Sequence, residues 1–352
     1  MDYAKFINEL LENLIREDGS DLHLGAGRKP AIRVNGQLIF LMNQKALSND
    51  DMMGILNVIL GSDKTQKFVN NKEVDFSYSL NNITHLRGNA FFQRGMICIA
   101  LRLIPKAKTL EELNLPPILS SFAMKKQGFF LVVGPVGQGK STTLSTMINM
   151  INKERACHIV TIEDPIEFIY QPDKSIVDQR EIGIDTNGFL EALKGVLRED
   201  VNVILVGEMR NTETMAAAVT AAETGHLVFS TLHTNNASQT IDRIIDSFPS
   251  NQQDQIRLQL SASLIGIFSQ RLIPRVAGGR VPAYELLINN NAVSNLIREK
   301  RTHEIDNVIE TSSGEGMIDM NRSLIELVQK GEISMESAHQ YSINPKALEQ
   351  ML

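Results

Sequence analysis

The stretch Gly134-Pro-Val-Gly-Gln-Gly-Lys-Ser141, entered by Phe129-Phe-Leu-Val-Val133, decides the reading of this chain. It satisfies G-x-x-x-x-G-K-[ST] at every fixed position. The glycines let backbone N–H groups converge on phosphate oxygens where a side chain would clash. Lys140 supplies a point charge for the β- and γ-phosphates, and the Ser141 hydroxyl can ligate Mg²⁺. The flanks make the match specific: an apolar strand runs in and a helical stretch, Lys140–Asn152, runs out, so phosphate meets a helix N-terminus. Gly134, Pro135, Val136, Gly137, Gln138, Gly139, Lys140, Ser141 and Thr142 are therefore expected to hold ATP.

Downstream, the apolar runs His158–Glu163, Val203–Val206 and His226–Thr231 alternate with helical stretches at Asn187–Arg198, Thr212–Glu223 and Ala237–Ser247. Such alternation predicts an α/β domain with a mostly parallel sheet covered on both faces. Ligands bind at the carboxyl ends of such strands. Two strand ends there carry acids: Glu163-Asp164, and Gly207-Glu208, a Walker B pattern with Glu where Asp is more usual. One carboxylate can hold the metal's water shell while another polarises the attacking water. The residues alone leave the assignment open. They also leave open whether His233, between an apolar strand and a polar turn, is a core histidine or a sensor of the γ-phosphate. Beyond Asn251 the pattern reads as chiefly helical, the apolar stripe of Asn251–Leu272 included, broken by a strand at Val281–Ile288.

Upstream lies a different composition. Phe6, Ile7, Leu10, Leu11, Leu14 and Ile15 recur at helical spacing. Short alternating segments follow at Asp21–Leu24, Ile32–Val34 and Gln37–Phe40, with Asn35-Gly36 as a hairpin turn. A second helix over Asp50–Leu60 precedes strands at Val74–Ser79, Leu86–Gln93 and Met96–Leu103, which predicts a small α+β domain with an antiparallel sheet. Ile104–Gln127, with Pro105, Pro116 and Pro117, reads as a linker with a short helix.

Bulk properties agree with two domains: 352 residues exceed one ordinary core. A formal net charge of −6 argues against a general nucleic-acid binder. With only Cys98 and Cys157, a four-cysteine zinc site is excluded. The acidic N-terminus (Asp2, Glu9, Glu12, Glu17, Asp18) does not read as a signal peptide, and no run approaches the roughly 20 apolar residues of a membrane span. A cytoplasmic protein is expected, meeting the membrane only through a partner.

Several further segments run in a familiar order: Thr161-Ile-Glu-Asp-Pro-Ile-Glu-Phe168, Leu197-Arg-Glu-Asp200, Val206-Gly-Glu-Met-Arg210, Ala221-Ala-Glu-Thr-Gly-His226, Ser230-Thr-Leu-His-Thr234 and Thr240-Ile-Asp-Arg-Ile-Ile-Asp246. Together they resemble the secretion and pilus-assembly ATPases. Ser20-Asp-Leu-His-Leu24 and Ile32-Arg-Val-Asn-Gly36 extend the likeness to that family's N-terminal domain. Ala292-Val-Ser-Asn-Leu-Ile-Arg-Glu299 is similar to the segment that distinguishes its type IV pilus retraction motors.

The resemblance implies a PAS-like domain over 1–104, a linker over 105–127, a RecA-like P-loop ATPase core over 128–290 and a C-terminal helical segment over 291–352. It makes Glu163 and Glu208 the hydrolytic and metal-site acids, without saying which is the base, and places Mg²⁺ at Ser141 and Glu208. It assigns His226 and His233 to an active-site His box. It has Arg87 and Arg102 reach nucleotide across a subunit boundary, a task that suits a permanently charged fork. The implied assembly is a homohexamer acting on an inner-membrane platform protein, with a paralogous pilus ATPase as a further partner and no nucleic acid. The implied work is ATP-driven pilus retraction; an accessory retraction ATPase, or an extension or type II secretion ATPase, is the alternative. Three departures stand out. Gln138 replaces the family's usual Ser at a variable loop position, where little consequence is expected. Asn202 and Asn211 stand where acids are common. Val293-Ser294 stands where Ile-Arg is usual.

Overall fold

A computed structural model describes residues 2–34, 36–80, 84–105 and 107–351. The chain divides into two compact units, Met1–Pro105 and Lys106–Leu352.

In the first unit, α1 (Tyr3–Arg16) and α2 (Asn49–Asn71) flank the strands β1 (Gly19–Gly25), β2 (Ala31–Val34), β3 (Gln37–Phe40), β4 (Glu73–Leu80), β5 (Thr84–Gln93) and β6 (Met96–Leu103). The strands form one sheet in the order β3-β2-β1-β6-β5-β4, antiparallel throughout. Phe6, Ile7, Leu10, Leu11 and Leu14 of α1 and Met52, Ile55, Leu56 and Phe68 of α2 bury one face of this sheet, meeting Leu22, Leu24, Leu86, Ile99 and Leu101. This is the α+β arrangement expected for a PAS-like domain. The second helix runs past its expected end at Leu60. Gly61, at φ 73°, breaks it, and the helix resumes to Asn71. In the expected turn at Asn35-Gly36, Asn35 lies outside the described residues.

The second unit is built on α3 (Leu119–Ala123), β7 (Gly128–Val133), α4 (Lys140–Glu154), β8 (His158–Glu163), β9 (Ile176–Glu181), α5 (Phe189–Val196), β10 (Val203–Val206), α6 (Thr212–Glu223), β11 (Leu227–Leu232), α7 (Ala237–Asp246), α8 (Ser250–Ser263), β12 (Leu264–Pro274) and β13 (Arg280–Ile288). Its sheet runs β13-β12-β7-β11-β10-β8-β9, parallel except where β13 returns antiparallel along β12. Alternate residues of β7 point to opposite faces: Phe129, Leu131 and Val133 join one buried cluster with α5–α8, whereas Phe130 and Val132 join another with Leu144, Met147 and Ile148 of α4. Burial on both faces explains why these strands read as continuous apolar runs.

Three boundaries differ from expectation. The stretch read as a linker is packed structure: Leu110, Leu115, Leu119 and Phe122 are buried against Phe130, Val132 and Leu144. Lys106 of that stretch lies outside the described residues. The helical reading of Asn251–Leu272 holds only for α8; Leu264 opens an eleven-residue strand beside β7. The segment after 291 is helical as expected, but it packs into the second unit rather than standing apart from it. Val293 and Ile297 of α9 (Asn291–Arg298) and Ile305 and Ile309 of α10 (Ile305–Thr311) enter the core. Helices α11 (Met320–Gln329), α12 (Met335–Tyr341) and α13 (Pro345–Met351) cover Ile273, Val281 and Ala283 of the β12–β13 hairpin.

Candidate active site

Parallel pairing of β7, β8, β10 and β11 brings their carboxyl ends to one edge, and the P-loop follows β7 there. The loop needs its glycines. Gly134 sits at φ 144°, and a Cβ on it would lie 2.4 Å from the Gln270 carbonyl oxygen; Gly139, at φ 79°, precedes the first turn of α4. Around this edge lies a cavity of about 460 Å³ lined by Val136 to Thr142, Glu163, Asp164, Glu167, Gly207, Glu208, Thr231, His233 and Arg280, among others.

Lys140 is almost fully buried. Its Nζ donates to the carbonyls of Gly134 and Pro135, each at 2.9 Å, and lies 3.3 Å from His233 Nδ1. Burial pushes its ammonium below the usual lysine range, an effect that the charges of Glu208 and Glu167 oppose. Phosphate oxygens can replace the two carbonyls as acceptors, so the lysine is held at the place where negative charge arrives.

The two acids occupy contrasting surroundings. Glu163 is buried; its Oε1 accepts from Thr161 Oγ1 at 2.7 Å and Gln179 Nε2 at 3.4 Å, and its Oε2 from the Glu167 amide at 3.4 Å. Burial raises its pKa to about 7 against these hydrogen bonds. Glu208 is instead ion-paired to Arg210 and lies 3.6 Å from His233 Nε2. Arg210 also reaches Asp164 at 3.7 Å, and its contact with Glu208 raises its own pKa. Thr231 Oγ1 donates to the Gly207 carbonyl at 2.6 Å, tying β11 to the Walker B turn.

Mg²⁺ fits the available donors. The exposed Ser141 hydroxyl and the Glu208 carboxylate face the same cavity. Among the described residues no group of three His, Cys, Asp or Glu side chains is placed to hold a metal.

The structure gathers Lys140, Ser141, Glu163, Glu208 and His233 but does not bring His226 to them. His226 precedes β11 at the opposite edge of the sheet, a six-residue strand of about 20 Å away. Its Nδ1 lies 3.0 Å from the Ala221 carbonyl, closing the end of α6. Arg87 and Arg102 belong to the first unit, where they stand directly opposite each other on β5 and β6.

Gln138 is more than a variable loop residue. Its Oε1 accepts from the Leu272 amide at 2.6 Å, and its carbonyl accepts from Gln270 Nε2 at 2.7 Å. Gln270 Oε1 accepts from Thr143 Oγ1 at 2.6 Å. The buried Gln270 amide thus clamps loop and helix to β12, a strand the sequence reading missed. Gln270→Leu leaves both partners without it; the resulting penalty of about 1–3 kcal/mol is expected to raise the Kd for ATP about tenfold or more by calorimetric titration. The asparagine departures are structural: Asn211 caps α6 through the Thr214 amide, and Asn202 Oδ1 accepts from the His158 amide. Ser294 Oγ donates to the Ser261 carbonyl at 3.1 Å.

A phosphate loop at the carboxyl edge of a parallel sheet, with two acids facing it, defines a P-loop ATPase. Residues 2–278 match the type II/IV secretion system protein family, and the chain belongs to that family. It is 42% identical over 341 residues, 97% of this chain and 99% of the relative, to the type IV pilus retractation ATPase PilT of Pseudomonas aeruginosa. It is 40% identical to the type IV pilus ATPase PilU of the same organism, over 94% of this chain and 87% of the relative. The crystal structure of the pilus retraction motor PilT with bound ADP matches with a TM-score of 0.90 at 45% identity, covering 98% of this chain and 99% of that one.

Proposed function

We propose that this chain is a motor that couples ATP hydrolysis to retraction of a type IV pilus, working as a homohexamer. The observation that carries the catalytic part is the convergence of Lys140, Ser141, Glu163, Glu208 and His233 on one cavity. Nearly end-to-end similarity to a retraction motor supports the mechanical part.

The P-loop amides and Lys140 hold the triphosphate. Ser141 and Glu208 would hold Mg²⁺, which would supply positive charge to offset the negative charge developing on the phosphates. Glu163 is the general base. A buried carboxyl with a pKa near 7 matches proton abstraction at neutral pH better than an ion-paired one. Water attacks the γ-phosphorus, its proton passes to Glu163, and the β–γ bridging oxygen leaves with ADP. His233, between Lys140 and Glu208, changes partners as the γ-phosphate comes and goes. Arg87 and Arg102 of a neighbouring copy complete the charge stabilisation.

Among the described residues no helix is long and apolar enough to cross a membrane. In this reading the ring acts at the cytoplasmic face of the inner membrane through a platform protein. An accessory motor is the second reading, kept open by Val293-Ser294 and by an identity to PilU, 40%, close to the 42% to PilT. Deleting the gene separates the two. Loss of surface motility with excess pili is expected; near-normal retraction would indicate an accessory role, and absent pili an extension motor. Specific ATPase activity is expected to rise with protein concentration as rings form, and a constant value from a monomer would remove the ring.

A further inference from the structure

One row of side chains crosses the sheet of the first unit in register: Arg33 on β2, Asp21 on β1, Arg102 on β6, Arg87 on β5 and Ser77 on β4. The helices cover the other face of this sheet, as Leu22, Leu86 and Leu101 show. Like charges directly opposite each other in an antiparallel pair are destabilising, and Arg87 faces Arg102 with no acid between them. Asp21 is the one carboxylate in the row.

Asp21 is buried although its row is charged; only 10% of its side chain is exposed, against 73% for Arg102. Ser20 Oγ donates to its Oδ2 at 2.7 Å, and Arg102 Nε donates to its Oδ1 at 2.8 Å. Arg33 Nε lies 3.8 Å from Oδ2. Burial pushes the Asp21 carboxyl up, but the hydrogen bonds from Ser20 and Arg102 outweigh it and hold the group below its ordinary value. A pair with so exposed an arginine adds little stability. What it fixes is direction. Gripping Nε leaves Nη1 and Nη2 without a hydrogen bond among the described residues, the two nitrogens that fork onto phosphate oxygens.

We propose that Asp21 is a positioning residue: by holding Arg102 through Nε alone, it aims the open end of that guanidinium at the phosphates of ATP bound by the neighbouring copy. The proposal rests on the reading that arginines of this unit complete a neighbour's site. Removing Asp21 would free Arg102 to sample other rotamers and set it against Arg33 and Arg87, so the cost falls on the rate rather than on ATP binding.

The test measures steady-state ATP hydrolysis by full-length rings of Asp21→Asn, Arg102→Ala and the double variant, with ring assembly followed by light scattering. Asp21→Asn is expected to lower kcat about 10- to 100-fold, up to the cost of a catalytic group misplaced by about 1 Å, with KM within twofold and rings intact. In the Arg102→Ala background it should cost nothing further. Wild-type turnover for Asp21→Asn, or losses that multiply in the double variant, would overturn the proposal. Wild-type turnover for Arg102→Ala would sink the neighbour's-site reading and the proposal with it; collapse of Arg102→Ala alone removes only the role of Asp21. Should Asp21→Asn fail to fold, Asp21→Glu keeps the charge but displaces the carboxylate. It should lose kcat several-fold, and a wild-type rate would refute positioning.

Discussion

Glu163→Gln is expected to lower kcat for ATP hydrolysis about 10³-fold, within the usual range for loss of a general base, while leaving KM within a few-fold. The amide keeps the shape of the carboxylate and can still accept from Thr161, whose hydroxyl lies 2.7 Å away, so the cavity survives. It cannot take a proton from water. The pH profile supplies a second readout. With a pKa of about 7, the wild-type base is protonated below neutrality, so kcat/KM should fall tenfold per pH unit there and level off above. Stability runs the other way. The folded-state pKa lies above the unfolded value of about 4.5, so the native state binds the extra proton between those values and loses stability as pH rises through the window. Glu163→Gln should therefore melt higher than wild type at pH 8 and at about the same temperature at pH 4. A variant with wild-type turnover would transfer the base to Glu208.

Much of this was legible in the sequence because the decisive signals are local. Gly134 to Ser141 specify a loop whose geometry only glycine tolerates, and buried parallel strands such as Val203–Val206 announce themselves as apolar runs. The losses fall where local pattern cannot decide. Leu264-Ile-Gly-Ile-Phe-Ser-Gln-Arg-Leu-Ile-Pro274 follows a helix without a break, and a short apolar run reads equally as helix or strand; its pairing with β7 is a tertiary fact. Missing β12 hid Gln270, and with it the reason for Gln138. Ile176-Val-Asp-Gln-Arg-Glu181 is polar because β9 is an edge strand, yet its Gln179 and Glu181 pin the loop after Glu163 through the amides of Tyr170 and Ile166. The prolines of 105–117 suggested a linker, but Leu110, Leu115 and Leu119 had a core to enter. His226 opens the apolar run and His233 follows its end, so the length of one strand already separates them in sequence; only the resemblance put both at the site, and β11 keeps them at opposite edges.

Mixing two inactive variants should restore activity, and this is the larger test of how the site is assembled. Lys140→Ala removes the charge that meets the β- and γ-phosphates, and Arg102→Ala removes a group of the kind whose loss costs about 10³-fold or more in phosphoryl transfer. If each site used only its own chain's residues, every subunit in a mixed ring would remain dead. If Arg102 serves the neighbouring copy, an Arg102→Ala subunit keeps an intact P-loop and becomes active wherever a Lys140→Ala subunit supplies its arginine. In an equimolar random ring with head-to-tail contacts, roughly a quarter of the interfaces have that order. A rise from background toward that fraction of the wild-type rate is expected after the rings are dissociated and reassembled together. Separately assembled rings mixed without exchange should stay inactive. Glu163→Gln paired with Lys140→Ala gives the contrast: both lesions lie on the P-loop side of the interface, at the carboxyl edge of one sheet. No arrangement of those two subunits contains a complete site, so restored turnover there would contradict the assignment of Glu163 and Lys140 to one cavity.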